Sequence, residues 1–227
     1  MLSNASFISG DMIGVLSVYI YVGLLLLLCT VALKERPFFG RKFLHFMVGN
    51  IIFLLPLFDT RRAMVLYAAF PFVILTFLIS ESSPLEITSK LSSKGHDLGL
   101  FYYAISWTVL AFFFFETPEV IAIGIAAMSY GDGMAGYVGK KYGKYKFSLL
   151  PSCEKSLEGS MTMFVTTFAV IPFILLYFGV NMPALYVIFV VSLSATVIEA
   201  VIGRGFDNLT IAILTAIIYY TMVHSVV

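Results

Sequence analysis

The sequence predicts an all-α membrane protein, a polytopic bundle of eight transmembrane helices (seven at the least) with both termini outward, in one integral-membrane domain over residues 1–227. Three observations predict it. Of the 227 residues, 60% are hydrophobic and 12% charged, whereas soluble domains average about 45–50% and about 25%. The apolar residues gather into runs near the ~20 residues that a helix needs to cross a bilayer. Finally, when the loops are assigned alternately to two sides, twelve of the fourteen lysines and arginines fall on one side, which the positive-inside tendency makes cytoplasmic.

The spans are placed at 12–33, 43–58, 63–80, 98–115, 119–138, 157–178, 184–203 and 207–226. The first run is long enough to span rather than to be a cleaved signal. Lys34, Arg36, Arg41 and Lys42 follow it on the cytoplasmic side. The second run is short, and Asp59, Arg61 and Arg62 mark the outer turn before the third. Between the third and fourth runs lie Lys90, Lys94 and the turn Gly95-His96-Asp97-Leu98-Gly99, read as a chain reversal. The fourth carries the lone Trp107, read as structural or interfacial, and the fifth opens after Pro118. Lys140, Lys141, Lys144 and Lys146 flank its inner end, Lys155 precedes the sixth span, and Arg204 follows the seventh. Cys29 and Cys153 give no disulfide framework, and a net charge of +1 argues against a nucleic-acid partner.

Polar residues inside such runs are expensive and mark function by default. Asp132 lies fourteen residues past Pro118, so at ~1.5 Å per residue it sits ~21 Å into a ~30 Å core. A carboxylate there needs a cation, and a magnesium ion shared with substrate phosphates suits oxygen ligands. Gly131, Asp132, Gly133 and Gly136 spell G-x-G-x-x-G, with Gly139 and Gly143 following. No strand precedes them and an aspartate at the second position repels phosphate, so a dinucleotide fold is rejected. The glycines allow either close helix packing or approach of backbone amides to a ligand. Lys140, Lys141 and Lys144 read first as a topological, lipid-facing flank.

Glu154-Lys155-Ser156-x-x-Gly159 stands at the start of the sixth span, where amides and a lysine together suit a nucleotide phosphate. Arg41, Lys42 and His45 open the second span, Arg41 and His45 sharing a helix face. Glu199 lies inside the seventh span, where metal or general-base work explains it, and Asp207-Asn208 starts the eighth, where capping competes with metal binding. Nearly all these groups fall on the cytoplasmic side, as suits an enzyme meeting a water-soluble substrate. A transporter would carry polar groups through both halves.

Taken in order, Arg41-Lys42-x-x-His45-x-x-x-Gly49, Gly131-Asp132-Gly133-x-Ala135 with Gly139 and Gly143, Lys155-Ser156-x-x-Gly159, and Glu199 with Asp207-Asn208-Leu209-Thr210 resemble the membrane polyprenol kinases. That group comprises dolichol kinase, phytol kinase and CTP-dependent diacylglycerol kinases, and is distantly similar to CDP-diacylglycerol synthases. The resemblance implies transfer of the γ-phosphate of a nucleoside triphosphate, CTP by preference, to an isoprenoid alcohol or diacylglycerol embedded in the membrane. It implies Mg²⁺ held by Asp132, Glu199 and Asp207, with Asp132, Lys155 and Glu199 catalytic. Arg41, Lys42, His45, Gly131, Gly133, Gly136, Gly139, Lys140, Lys155, Ser156, Gly159 and Asn208 would bind nucleotide or phosphate.

Members often carry a doubled acid before Asn-Leu-Thr, where this chain has Phe206-Asp207. A cytidylyltransferase making a CDP-activated lipid is the alternative, and a small transporter the non-enzymatic one. The expected location is a prokaryotic plasma membrane, or the endoplasmic reticulum of a eukaryote, with the active site cytoplasmic.

Overall fold

The computed structural model describes residues 4–33, 37–80, 98–150, 153–202 and 205–224. Lys34, Arg36, Lys90, Lys94, His96, Asp97 and Arg204, all named above, lie outside them. Within the expected single domain the chain clusters into two compact units, Met1–Pro118 and Glu119–Val227.

The first unit opens with α1 (Asn4–Val31). Val18, Val22, Leu25 and Cys29 recur at helical spacing and are buried, while Ile13, Leu16, Ile20, Leu24 and Leu27 are exposed apolar residues on the same helix. The carboxylate of Asp11 accepts the backbone N–H groups of Asp59 (2.9 Å) and Thr60 (3.0 Å) and the Thr60 hydroxyl (2.6 Å). Pro37 opens α2 (Pro37–Val48), a position where its missing N–H costs nothing. The helix then tightens to a 3₁₀ segment (Gly49–Leu57) containing Pro56. A π-helical segment (Ala63–Ala69) runs into α3 (Phe70–Leu78). Pro71 has no N–H to offer the preceding turn, which fits a slip to wider hydrogen bonding just before it. The unit ends with α4 (Gly99–Phe114).

The second unit is built around one continuous helical path: α5 (Pro118–Ala126), a π-helical segment (Ala127–Asp132) and α6 (Gly133–Tyr142). Every residue from Val120 to Gly133 is buried, as expected of a helix apolar on all sides. A two-stranded antiparallel hairpin follows, β1 (Lys146–Leu150) with β2 (Cys153–Ser156), in which Phe147 faces Lys155 and Ser148 faces Glu154. This hairpin is a departure from the purely helical expectation, which read the stretch as a basic loop. Then come α7 (Leu157–Tyr177), α8 (Leu185–Val201) and α9 (Asp207–His224). α7 packs on α6 and α8, α8 packs on α9, and the π segment touches α7, α8 and α9.

Among the described residues the architecture is thus all-α apart from the hairpin. Two of the described helical stretches, Gly10–Val31 and Leu157–Tyr177, are long and apolar enough to cross a membrane. Residues 42–57, 63–78, 99–114 and 185–201 form shorter apolar helices.

Candidate functional site

Asp132 ends the π segment and is 8% exposed, with no break in the helix around it. Packing explains the glycine before it. A Cβ on Gly131 would stand 2.6 Å from Met163 Sδ and 2.8 Å from Thr167 Oγ1, so α7 approaches closely only because that side chain is missing. Gly139 and Gly159 meet in the same way. A Cβ on Gly139 would lie 2.9 Å from Ser156 Oγ and 3.5 Å from the Gly159 Cα, and one on Gly159 would lie 3.1 Å from the Ala135 carbonyl oxygen. Gly133 is buried and Gly136 half-buried on α6. Of the two readings of this glycine pattern, close packing of α6 on α7 has direct contacts behind it.

The hairpin delivers Lys155 to the same level. Its ammonium donates to Glu199 Oε1 at 2.5 Å, with side chains 16% and 4% exposed. Glu199 lies on the last turn of α8, whose carbonyl end favours a cation, while α7 begins just after Lys155 and its amide end favours an anion. The Ser160 hydroxyl, in the first turn of α7, donates to Glu199 Oε2 at 3.4 Å. Burial alone would lower the Lys155 pKa. The negative charges of Asp132, Glu199 and Asp207 and the hydrogen bond to Glu199 outweigh it and push the ammonium above the ordinary lysine range. Asp132 and Asp207 are therefore within electrostatic reach of Lys155, and four predicted residues from four segments share one neighbourhood.

Ser156 and Gly159 are partners of each other. Ser156 caps α7 by accepting the Gly159 N–H at 3.1 Å, so this serine oxygen and this amide are engaged in the cap. Gly205, at φ +85°, turns the chain into α9. There Asp207 Oδ1 accepts the Asn208 N–H at 3.0 Å, and Asn208 is buried. Lys140 is exposed near the end of α6.

Arg41, Lys42 and His45 lie on α2, in the first unit. Lys42 is half-buried, and the His45 ring stands edge-on to Tyr103, with centroids 5.5 Å apart. Among the described residues, no three His, Cys, Asp or Glu side chains gather closely enough to hold a metal ion by themselves.

Two contributors escaped the sequence. Ser160 looked like one more small residue in an apolar run, although a hydroxyl in the first turn beyond a lysine was a usable signal. Glu158, a charge in the first turn of α7, carries no motif in the sequence. Its carboxylate accepts the Lys144 N–H at 3.0 Å and the Tyr145 N–H at 3.4 Å, and the Leu157 N–H reaches the Tyr145 carbonyl at 2.9 Å. Together these contacts tie the base of the hairpin to α7.

No family model matches the chain and no solved structure matches it. Curated proteins do. A protein named phytol kinase from Synechocystis sp. is 36% identical over 138 residues, covering 59% of this chain and 59% of that protein. Phytol kinase 1, chloroplastic, of Arabidopsis thaliana is 28% identical over 201 residues, 80% of this chain and 65% of its own length. A probable phytol kinase, chloroplastic, of Triticum aestivum is 26% identical over 215 residues, 84% and 71%. The chain thus spans about three-fifths of the length of the first two. In its ordered motifs and in these relatives, the chain is similar to the polyprenol kinases.

Proposed function

We propose that this chain is a membrane-embedded lipid kinase that moves the γ-phosphate of a nucleoside triphosphate, CTP by preference, onto the hydroxyl of an isoprenoid alcohol of the phytol type. The observation that carries the reading is the Lys155 ammonium bound to Glu199, with Asp132 and Asp207 within electrostatic reach, at the junction of the hairpin, α7, α8 and α9. The relatives named phytol kinase support the acceptor class. Phosphoryl transfer asks a protein mainly for positioning and neutralisation of charge, which a lysine and a few buried carboxylates can supply.

In this reading the alcohol oxygen attacks the γ-phosphorus, the new O–P bond forms as the bridging bond to the β-phosphate breaks, and the nucleoside diphosphate leaves. Lys155 grips the phosphate oxygens. Asp132 takes the hydroxyl proton, which explains a carboxylate recessed to the depth of a lipid hydroxyl. Magnesium fits the donor set. The groups present are carboxylates, and this ion is commonly held by one or two of them with substrate phosphates completing the shell. Asp207 would hold it, and when bound it would offset charge on the transferring phosphate. Lys140 and Asn208 are assigned to the nucleotide on position.

The eight-span topology belongs to the same proposal. Both termini face outward, and the hairpin and the starts of α7 and α9 lie on the cytoplasmic side of a plasma or endoplasmic reticulum membrane.

The deciding experiment uses purified protein with γ-labelled and α-labelled CTP and ATP, Mg²⁺, and phytol, longer prenols, diacylglycerol or phosphatidate as acceptors. Label from the γ position of CTP, recovered in phytyl phosphate, is the expected result. Label entering lipid from the α position of CTP alone would instead make the protein a cytidylyltransferase.

A further inference from the structure

Lysine is a point charge on a flexible stem, so its grip on a phosphate depends on what aims it. Here the aiming is unusually complete. Lys155 is the penultimate residue of β2, the next residue caps α7, and Ser160 closes the first turn of that helix. Glu199 reaches both ends of this short segment: Oε1 receives the Lys155 ammonium at 2.5 Å, and Oε2 receives the Ser160 hydroxyl at 3.4 Å. All three side chains are largely withdrawn from solvent, with Ser160 8% exposed.

We propose that Ser160 and Glu199 are positioning residues that act through Lys155: Ser160 fixes the Glu199 carboxylate, and Glu199 fixes the ammonium at the place the transferring phosphate will occupy. Glu199 then serves as the anchor of the lysine rather than as a direct ligand to the metal. Each of its oxygens already carries a protein donor, one of them a cation that a divalent ion would repel. The proposal rests on the reading of Lys155 as the phosphate-binding lysine.

The test measures equilibrium binding of labelled CTP with Mg²⁺, together with KM and kcat for phytol phosphorylation, on the full chain in detergent. Glu199→Gln weakens CTP binding about tenfold, the effect of losing one charge-assisted contact. Ser160→Ala weakens it about threefold, and Ser160→Thr, which keeps the hydroxyl, restores it. The Mg²⁺ concentration giving half-maximal activity is unchanged in all three. Lys155→Met/Glu199→Gln removes both charges together and so avoids stranding one of them in the interior. In that background Ser160→Ala has no further effect on binding.

Three results would overturn the proposal. One is an equal loss from Ser160→Ala in both backgrounds, which makes the serine act independently of the lysine. The second is a raised Mg²⁺ requirement in Glu199→Gln, which makes the glutamate a metal ligand. The third is unchanged CTP binding in the Lys155→Met/Glu199→Gln chain, which removes the phosphate role of Lys155 itself and is thereby told apart from the other two.

Discussion

Asp132 sits on a helix whose other buried residues are apolar or small, and its value lies in carrying charge where charge is costly. The isosteric change Asp132→Asn should therefore preserve the fold and abolish transfer, lowering turnover by at least about 10²–10⁴-fold, the usual contribution of a general acid–base group. Labelled-product formation read beside a thermal melt checks both halves.

Lys155 gives a second expectation, with its sign fixed by its neighbours. Burial pulls the ammonium down, the surrounding carboxylates lift it further, and its folded value ends above the unfolded one. Its contribution to stability is then complete below the ordinary lysine range and is lost only as pH rises through the folded value. CTP binding should show no descending limb from this group between about pH 7 and 9.5. A fall centred near pH 8 would mean that the carboxylates do not act on it. Asp132 was legible in the sequence as a charge inside an apolar run, and Lys155 as a lysine set just before a span, where helix amides face the loop. Ser160 was not, since a small hydroxyl is common in helices and only the fold brings it to Glu199.

At the scale of elements, the α6–α7 seam depends on missing side chains. Gly139→Ala places a methyl 2.9 Å from the capping Ser156 oxygen. It should cost about 1–3 kcal/mol, the usual range for overpacking, measurable as a lowered denaturation midpoint. Ser156→Ala should cost about 1 kcal/mol by removing the cap.

Glu158 holds the hairpin base from outside the site. Glu158→Ala should speed amide exchange at Lys144 and Tyr145 and raise the nucleotide KM more than it lowers kcat. Helix positions were readable from apolar runs, and each expected span has a helix within it. The hairpin was not readable: its strands, Lys146–Leu150 and Cys153–Ser156, are five and four residues long, too short for an alternation to stand out beside a basic flank. The π segments were also silent, because a one-residue slip in hydrogen bonding leaves no periodic trace over six or seven residues.

On the scale of the whole molecule, the split into two units was hidden as well, since apolar runs recur on both sides of it and no linker announces the boundary at Pro118. The distribution of lysine and arginine is the whole-chain signal, and it leads to an expectation about sidedness. In a chain with Cys29 and Cys153 replaced, a single cysteine at position 144 should react with an impermeant thiol reagent from the cytoplasmic side. One at position 61 should react from the other side. Labelling of both from the same face would dismantle the eight-span arrangement.

The hairpin register carries a last consequence. Side chains alternate between the two faces of a strand, so Lys155 points toward Glu199 only while it stays opposite Phe147. One residue inserted between Lys155 and Ser156 would turn the ammonium to the far face of the strand, whereas the irregularity between Ser148 and Leu150 already takes up an odd residue on β1 without moving it. The fixed length in this hairpin is therefore the single step from Lys155 to the cap of α7.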